Sequence, residues 1–282
     1  MEKKFDKNEL SYLLELLNKA KDETSIESYI YIKNLLNRIE FAIPFEIYKK
    51  GSKFARCRIH ETENEYYEKV NQVSYRSDIE NIKNFGRANE TGQSVFYCSN
   101  HEWTSYVETS TITRNNDDKK YEEVTTGIWI ATEDILVVNV LTNEKIRGLN
   151  KEIDKLSKDF EDLIKNQADE NSLIIRELFY FLSLEFSRKA VNNPNYYKIT
   201  TAFTNYIFDS IKQVDGILYP STLYPEVGLN FALKNKTVDR KLKFHNAIRR
   251  KMVRKSENEY IETQLIESEI CNDDENIKWK IR

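Results

Sequence analysis

Two arginines, Arg56 and Arg58, stand two residues apart in the run Phe54-Ala55-Arg56-Cys57-Arg58-Ile59. On a β-strand, residues i and i+2 point to the same face of the sheet, so both guanidiniums would share one face. That is costly unless an anion or a carboxylate meets them. The two phosphates of a dinucleotide would meet them through bidentate hydrogen bonds; a pair of surface arginines on an edge strand is the plain structural alternative. A further arginine sits in Gly86-Arg87-Ala88-Asn89, with Gly92 close behind. In a loop entering a strand, such an arginine can bring its side chain and nearby backbone N–H groups to one ligand, and Asn89 adds a donor and an acceptor. Tyr97 lies in the apolar run Ser94-Val95-Phe96-Tyr97-Cys98-Ser99, and Glu108 follows eleven residues later in the segment HEWTSYVETS. The flanks of Glu108 lack the lysines that mark the solvated helix faces elsewhere in the chain. Ser221 closes the run Asp215-Gly216-Ile217-Leu218-Tyr219-Pro220-Ser221, ahead of Gly228-Leu229-Asn230-Phe231-Ala232-Leu233. No glycine-serine elbow surrounds Ser221 and no histidine is near it in sequence. It therefore reads as a ligand hydrogen-bonding residue rather than a hydrolase nucleophile.

These residues need rigid carriers, and the hydrophobic pattern suggests them. The chain has only 7 glycines and 4 prolines, concentrated around Gly86–Gly92 and Gly216–Gly228, as expected of special loops. Leu10, Leu13, Leu14, Leu17 and Ala20 repeat at helical spacing. A second helix is expected from a capping box of Thr24 with Glu27, with a stripe of Ile32, Leu35, Leu36 and Ile39. Together they form an N-terminal helical region over residues 1–45, read mainly as packing for the rest. Residues 46–282 are expected to form the main domain, which would carry the candidate residues above, with a helical segment over 149–212. Strands are expected at 54–59, at 94–99, twice within 127–141, at 215–220 and at 230–233, with a helix after Ser99. Leu149, Ile153, Leu156, Phe160 and Leu163 suggest a packed amphipathic helix, being too short for a coiled coil. Asn171 or Ser172 caps the next helix, and another follows Pro194. The tail reads as a hairpin of YIETQLIESEI and IKWKIR.

Composition narrows the function classes. A net charge of -3 from 43 basic and 46 acidic residues gives no general polyanion-binding surface. The basic run 240–255 is read as a solvated helix face, nucleic-acid contact being the lesser reading and disfavoured. Cys57, Cys98 and Cys271 show no metal-ligand spacing or disulfide framework, which suits a reducing cytoplasm. With His60, His101 and His245 also scattered, no metal is expected. No apolar leader or membrane-length run is present, so a cytoplasmic location and no membrane partner are expected.

The ordered set Arg56, Gly86-Arg87-Ala88-Asn89, Tyr97, Glu108 and Pro220-Ser221 resembles the RES-domain family, named for its arginine, glutamate and serine. The phrases DGILYPST and GLNFAL resemble its longer members. The family's early strand arginine falls on Arg56, with Arg58 the alternative. The resemblance implies an α+β fold: an ADP-ribosyltransferase-like split β-sheet core, here with an N-terminal helical hairpin and inserted helices. It implies an NAD-degrading enzyme, a glycohydrolase or phosphorylase, acting as a toxin held in check by an antitoxin or inhibitor protein. NAD is then the substrate, and no cofactor is expected. Glu108 would stabilise positive charge on the ribose, and the arginines would hold the pyrophosphate. Tyr97 would line the nicotinamide, while Ser221, Gly86, Asn89 and Asn230 would contact the ligand. Protein ADP-ribosylation and a non-catalytic nucleotide- or nucleic-acid-binding module are the alternatives.

Overall fold

The computed structural model describes residues 7–23, 25–37, 43–113, 120–142, 146–166, 170–188, 193–221, 228–256, 259–271 and 275–280. The fold is α+β, with seven α-helices and nine strands among these residues. The described parts of 1–46, 78–94 and 136–226 make one unit, and those of 47–77, 95–135 and 227–282 make a second, so the chain passes between them repeatedly. Among the described residues no helix is long and apolar enough to cross a membrane.

The first unit is mostly helical: α1 (Lys7–Ala20), α2 (Ile26–Leu36), α4 (Lys151–Asn166), α5 (Glu170–Phe186) and α6 (Lys198–Ser210) pack on one another, and α5 packs on β6 (Gly216–Pro220), which pairs in parallel with β5 (Ile135–Asn139). Ser25 caps α2, its hydroxyl accepting from the Ser28 N–H; Thr24 and Ile39 lie outside the described residues. On α4, Ile153, Leu156, Phe160 and Ile164 are buried while Leu163 is exposed, and Leu149 is exposed ahead of the helix. The buried set drifts with the 3.6-residue period of a packed helix rather than holding a heptad seam. Helix α5 already includes Glu170, so Asn171 and Ser172 lie within its first turn rather than at the position expected for a cap. A ladder of rings, Phe160–Phe179–Phe203–Phe186–Tyr219 with centroids 5.3 to 6.3 Å apart, ties these helices to β6.

Helix α2 does more than pack. The Tyr29 hydroxyl donates to Glu90 at 2.6 Å and accepts from the Asn205 amide of α6 at 3.0 Å. The Gln93 amide donates to Asn205 at 2.7 Å. These bonds hold the segment after Gly86 against α2 and α6. Burial and the neighbouring Glu90 carboxylate both push the Tyr29 hydroxyl well above the ordinary tyrosine range, so it stays a donor.

The second unit holds the sheet β7-β3-β2-β4-β8-β9. Its strands are β2 (Lys53–Ile59), β3 (Phe96–Ser99), β4 (Tyr121–Ala131), β7 (Leu229–Leu233), β8 (Leu242–Ser256) and β9 (Glu259–Glu267), all paired antiparallel. The short strand β1 (Phe45–Tyr48) precedes them, while α3 (Glu102–Thr109) and α7 (Asn235–Lys241) fall between them. Two expectations change here. The basic run 240–255 is mostly the strand β8, so its charges alternate between two faces instead of forming a helical stripe. Arg249 is buried on Glu123, and Arg250 pairs with Glu102 and Glu262. The expected tail hairpin is reduced to one bridge, Ser268 to Trp279, because YIETQLIE runs along β8 instead.

Beside the buried ion pair, His60 stacks on Tyr67 at 4.5 Å and contacts the Thr125 hydroxyl at 2.8 Å. Burial, and next the Arg249 charge, hold its pKa below the ordinary histidine value. A lowered histidine favours the folded state fully above its unfolded pKa of about 6.5, and that contribution is lost as pH falls toward the folded value. Thermal unfolding midpoints between about pH 7.5 and about pH 5 should therefore drop less in His60→Gln than in the wild type. Equal drops would show that His60 contributes nothing to the acid sensitivity.

Candidate active site

Strand register sorts the candidate residues of the second unit onto two faces. Ala55 pairs with Ser99, and Ser99 pairs with Asn230, so these three share a face. Alternation adds Tyr97 to that face and puts Arg56 and Arg58 on the opposite one. Helix α3 lies on the Ser99 face, its Ser105 hydroxyl accepting the Cys57 N–H at 2.8 Å. There the Asn230 amide donates to the Glu108 carboxylate at 3.0 Å and its carbonyl accepts from the Ser99 hydroxyl at 2.7 Å. Asn230 is 2% exposed, so its orientation is fixed. A hydrogen bond to a charged acceptor contributes about 1.5–3 kcal/mol, enough to select one carboxylate rotamer. The structure thus brings Glu108 and Asn230 together, with Ser99 as a third member.

On the other face, the Arg56 guanidinium donates to the Ser74 carbonyl at 2.9 Å and to the Tyr97 carbonyl at 2.7 Å, and lies 5.3 Å from the Phe96 ring. Arg58 donates to the same Ser74 carbonyl at 2.8 Å. The demand that two phosphates could satisfy is met in part by backbone oxygens. Burial, with the adjacent Arg58 charge second, lowers the Arg56 pKa to about 10, so it stays protonated at neutral pH. Arg56 holds the Tyr97 backbone from behind, which fixes the strand that carries Ser99.

The remaining candidates belong to the first unit. The Gly86 N–H donates to the Asn89 carbonyl at 2.8 Å, closing a tight loop, and the Thr201 hydroxyl of α6 donates to the Gly86 carbonyl at 2.8 Å. Arg87 donates to the Phe186 carbonyl at the end of α5 and to the Arg188 carbonyl at 3.1 Å. A cation there also meets the negative end of the helix dipole. Its guanidinium lies 4.9 Å from the Tyr197 ring and 5.8 Å from that of Tyr219 on β6. Ser221 follows directly on β6 and is 2% exposed. The loop beyond it, with Pro225, lies outside the described residues.

Sequence reasoning missed two positions. Ser99 was hidden because its role depends on pairing with a strand 131 residues away. Gly228 was visible as a loop glycine, but its reason was not. A Cβ there would lie 2.4 Å from the Thr104 hydroxyl and 2.9 Å from the Asn100 side-chain Oδ1, so only glycine lets β7 approach the start of α3 this closely. Gly228→Ala should destabilise the protein by about 1–3 kcal/mol, as overpacking does. An unchanged unfolding midpoint would mean that α3 can shift without strain.

The family model of the RES domain matches residues 57–250. The match takes in Arg58, Arg87, Tyr97, Glu108, Ser221 and Asn230, begins one residue after Arg56, and includes the inserted helices. No curated protein matches the chain.

Proposed function

Because the chain belongs to the RES-domain family, we propose that it degrades NAD by cleaving the bond between nicotinamide and ribose. The observation that carries the reading is the carboxylate of Glu108, held by Asn230 on a helix inside the matched region. When the C1′–N bond breaks, its electron pair passes to the nicotinamide nitrogen and quenches that ring's charge. The leaving group departs neutral and needs no general acid. Positive charge then develops on the ribose, as in other glycosidic cleavages. A fixed carboxylate stabilises that charge, and preorganised electrostatics of this kind contributes about 3 kcal/mol or more. Water or phosphate then bonds to C1′ and gives up a proton.

Glu108 is the catalytic residue in this reading, and Tyr97 lines the nicotinamide. Asn230 and Arg56 become positioning residues, one through the Glu108 carboxylate and the other through the Tyr97 backbone. Arg87, Gly86, Asn89 and Ser221 are assigned to NAD binding, as is Arg58. The fold would be of the ADP-ribosyltransferase type, and a protein inhibitor would restrain the activity in the cell.

Product identity tests the acceptor. Incubated with NAD and no protein target, the chain should form ADP-ribose in phosphate-free buffer or its 1-phosphate when phosphate is supplied. Label transferred only to an added protein would make it an ADP-ribosyltransferase instead. Arg87→Ala should weaken NAD binding while also lowering the unfolding midpoint, since the Phe186 and Arg188 carbonyls lose their donor. Unchanged NAD affinity would leave Arg87 as a helix-end brace alone.

A further inference from the structure

The second unit also contains a cleft of about 620 Å³ that includes neither Glu108 nor Asn230. Three neighbouring strands form its floor. Cross-strand register puts Ala55, Ile128 and Asn246 in one row, Thr126 and Ile248 in the next, and Val124 and Arg250 in a third. One wall is the first half of α3, with His101, Glu102, Trp103 and Tyr106.

The cleft and Glu108 lie on different flanks of that helix. Each residue turns about 100° around the axis. Ser105 points to β2, where its hydroxyl takes the Cys57 N–H. Thr104 and Glu108, four apart, point to the β7 side, where they meet Gly228 and Asn230. Glu102, Trp103 and Tyr106 point the other way, into the cleft.

The chemistry of the cleft is uneven in a useful way. Arg250 at one end is already matched by two carboxylates, Glu102 and Glu262, and offers little to an anion. Lys53, exposed at the edge, makes no ion pair among the described residues. The half-buried Asn246 side chain likewise makes no hydrogen bond among the described residues. Between them lies an apolar floor of Ala55, Ile128 and Ile248, with the indole of Trp103 beside it. An apolar slot with one aromatic wall, one amide and one unmatched cation suits a flat heteroaromatic ring that carries an anionic group.

We propose that this cleft is a binding site for a purine nucleotide. The base lies on the apolar floor against Trp103, its edge meets the Asn246 amide, and its phosphate meets Lys53. The volume lies within the roughly 300–1,000 Å³ of small-molecule pockets. The assignment is independent of NAD cleavage, because it uses none of the residues placed in that reaction.

The test is calorimetric titration of the full chain with AMP. Wild type should bind, and Lys53→Glu and Asn246→Leu should each weaken binding roughly tenfold or more. Both variants should keep the wild-type unfolding midpoint and any NAD turnover, since neither side chain has a partner to lose among the described residues. Arg87→Ala should leave AMP binding intact. No binding of AMP at millimolar concentration would overturn the proposal. So would AMP binding that ignores both cleft variants but is lost in Arg87→Ala, which would put the nucleotide among the NAD-binding residues.

Discussion

Replacing Glu108 with glutamine is expected to cut NAD cleavage on the order of a hundredfold or more, with fold and NAD affinity nearly intact. The amide keeps the side chain's shape, and its oxygen can still accept from the Asn230 amide across the present 3.0 Å. What disappears is the negative charge. That charge matters most when the ribose becomes cationic, so the loss should fall on turnover rather than binding. Asn230→Leu should act in the same direction for a different reason: Glu108 keeps its charge but loses the donor that aims it. Turnover by Glu108→Gln within a fewfold of wild type, with equal NAD-induced thermal stabilisation, would leave Glu108 as an ordinary helix carboxylate.

The largest effect on stability is expected from Arg249. Its guanidinium is paired with Glu123, and the two side chains are 1% and 4% exposed. Arg249 also donates to the Glu65 carbonyl at 3.0 Å and lies 4.5 Å from the Tyr66 ring. Removing one member strands the other charge away from water, which costs about 3–5 kcal/mol. Arg249→Met should therefore lower the unfolding midpoint strongly. The double change Arg249→Met with Glu123→Leu should recover much of the loss, because no charge is then left buried. A single variant as stable as wild type would mean that water reaches the Glu123 carboxylate. A double variant no better than the single one would assign the loss to packing of the long arginine stem rather than to charge.

The elements around the site were largely legible because their signals are local. The strand of Arg56, the strand of Tyr97, the helix of Glu108 and the β6–Ser221 junction all follow from short hydrophobic patterns. Long-range pairing was not legible. Alternation correctly put Arg56 and Arg58 on one face, but nothing local told that Ala55, Ser99 and Asn230 occupy the other. The face follows from register between strands far apart in sequence. The same limit hid the Asn230 contact to Glu108, since it depends on where α3 lands. The basic run at 240–255 misled for a different reason. Charge density suggested a solvated helix, yet the segment is a bulged strand buried on both sides, with Ile248 and Met252 on one face and Phe244, Ala247 and Arg249 on the other. Tertiary pairing overrode local propensity there. The link from α2 to the Gly86 loop through Tyr29 was invisible for the same reason, as its partners Glu90 and Asn205 are 61 and 176 residues away.

Cleavage of the nicotinamide–ribose bond is read directly as free nicotinamide over time after the purified protein meets NAD. Nicotinamide should appear in step with NAD loss over many turnovers, with no added protein target, and its release should fall on the order of a hundredfold or more in Glu108→Gln. NAD that binds yet stays intact, with wild type and Glu108→Gln indistinguishable, would contradict the proposed cleavage.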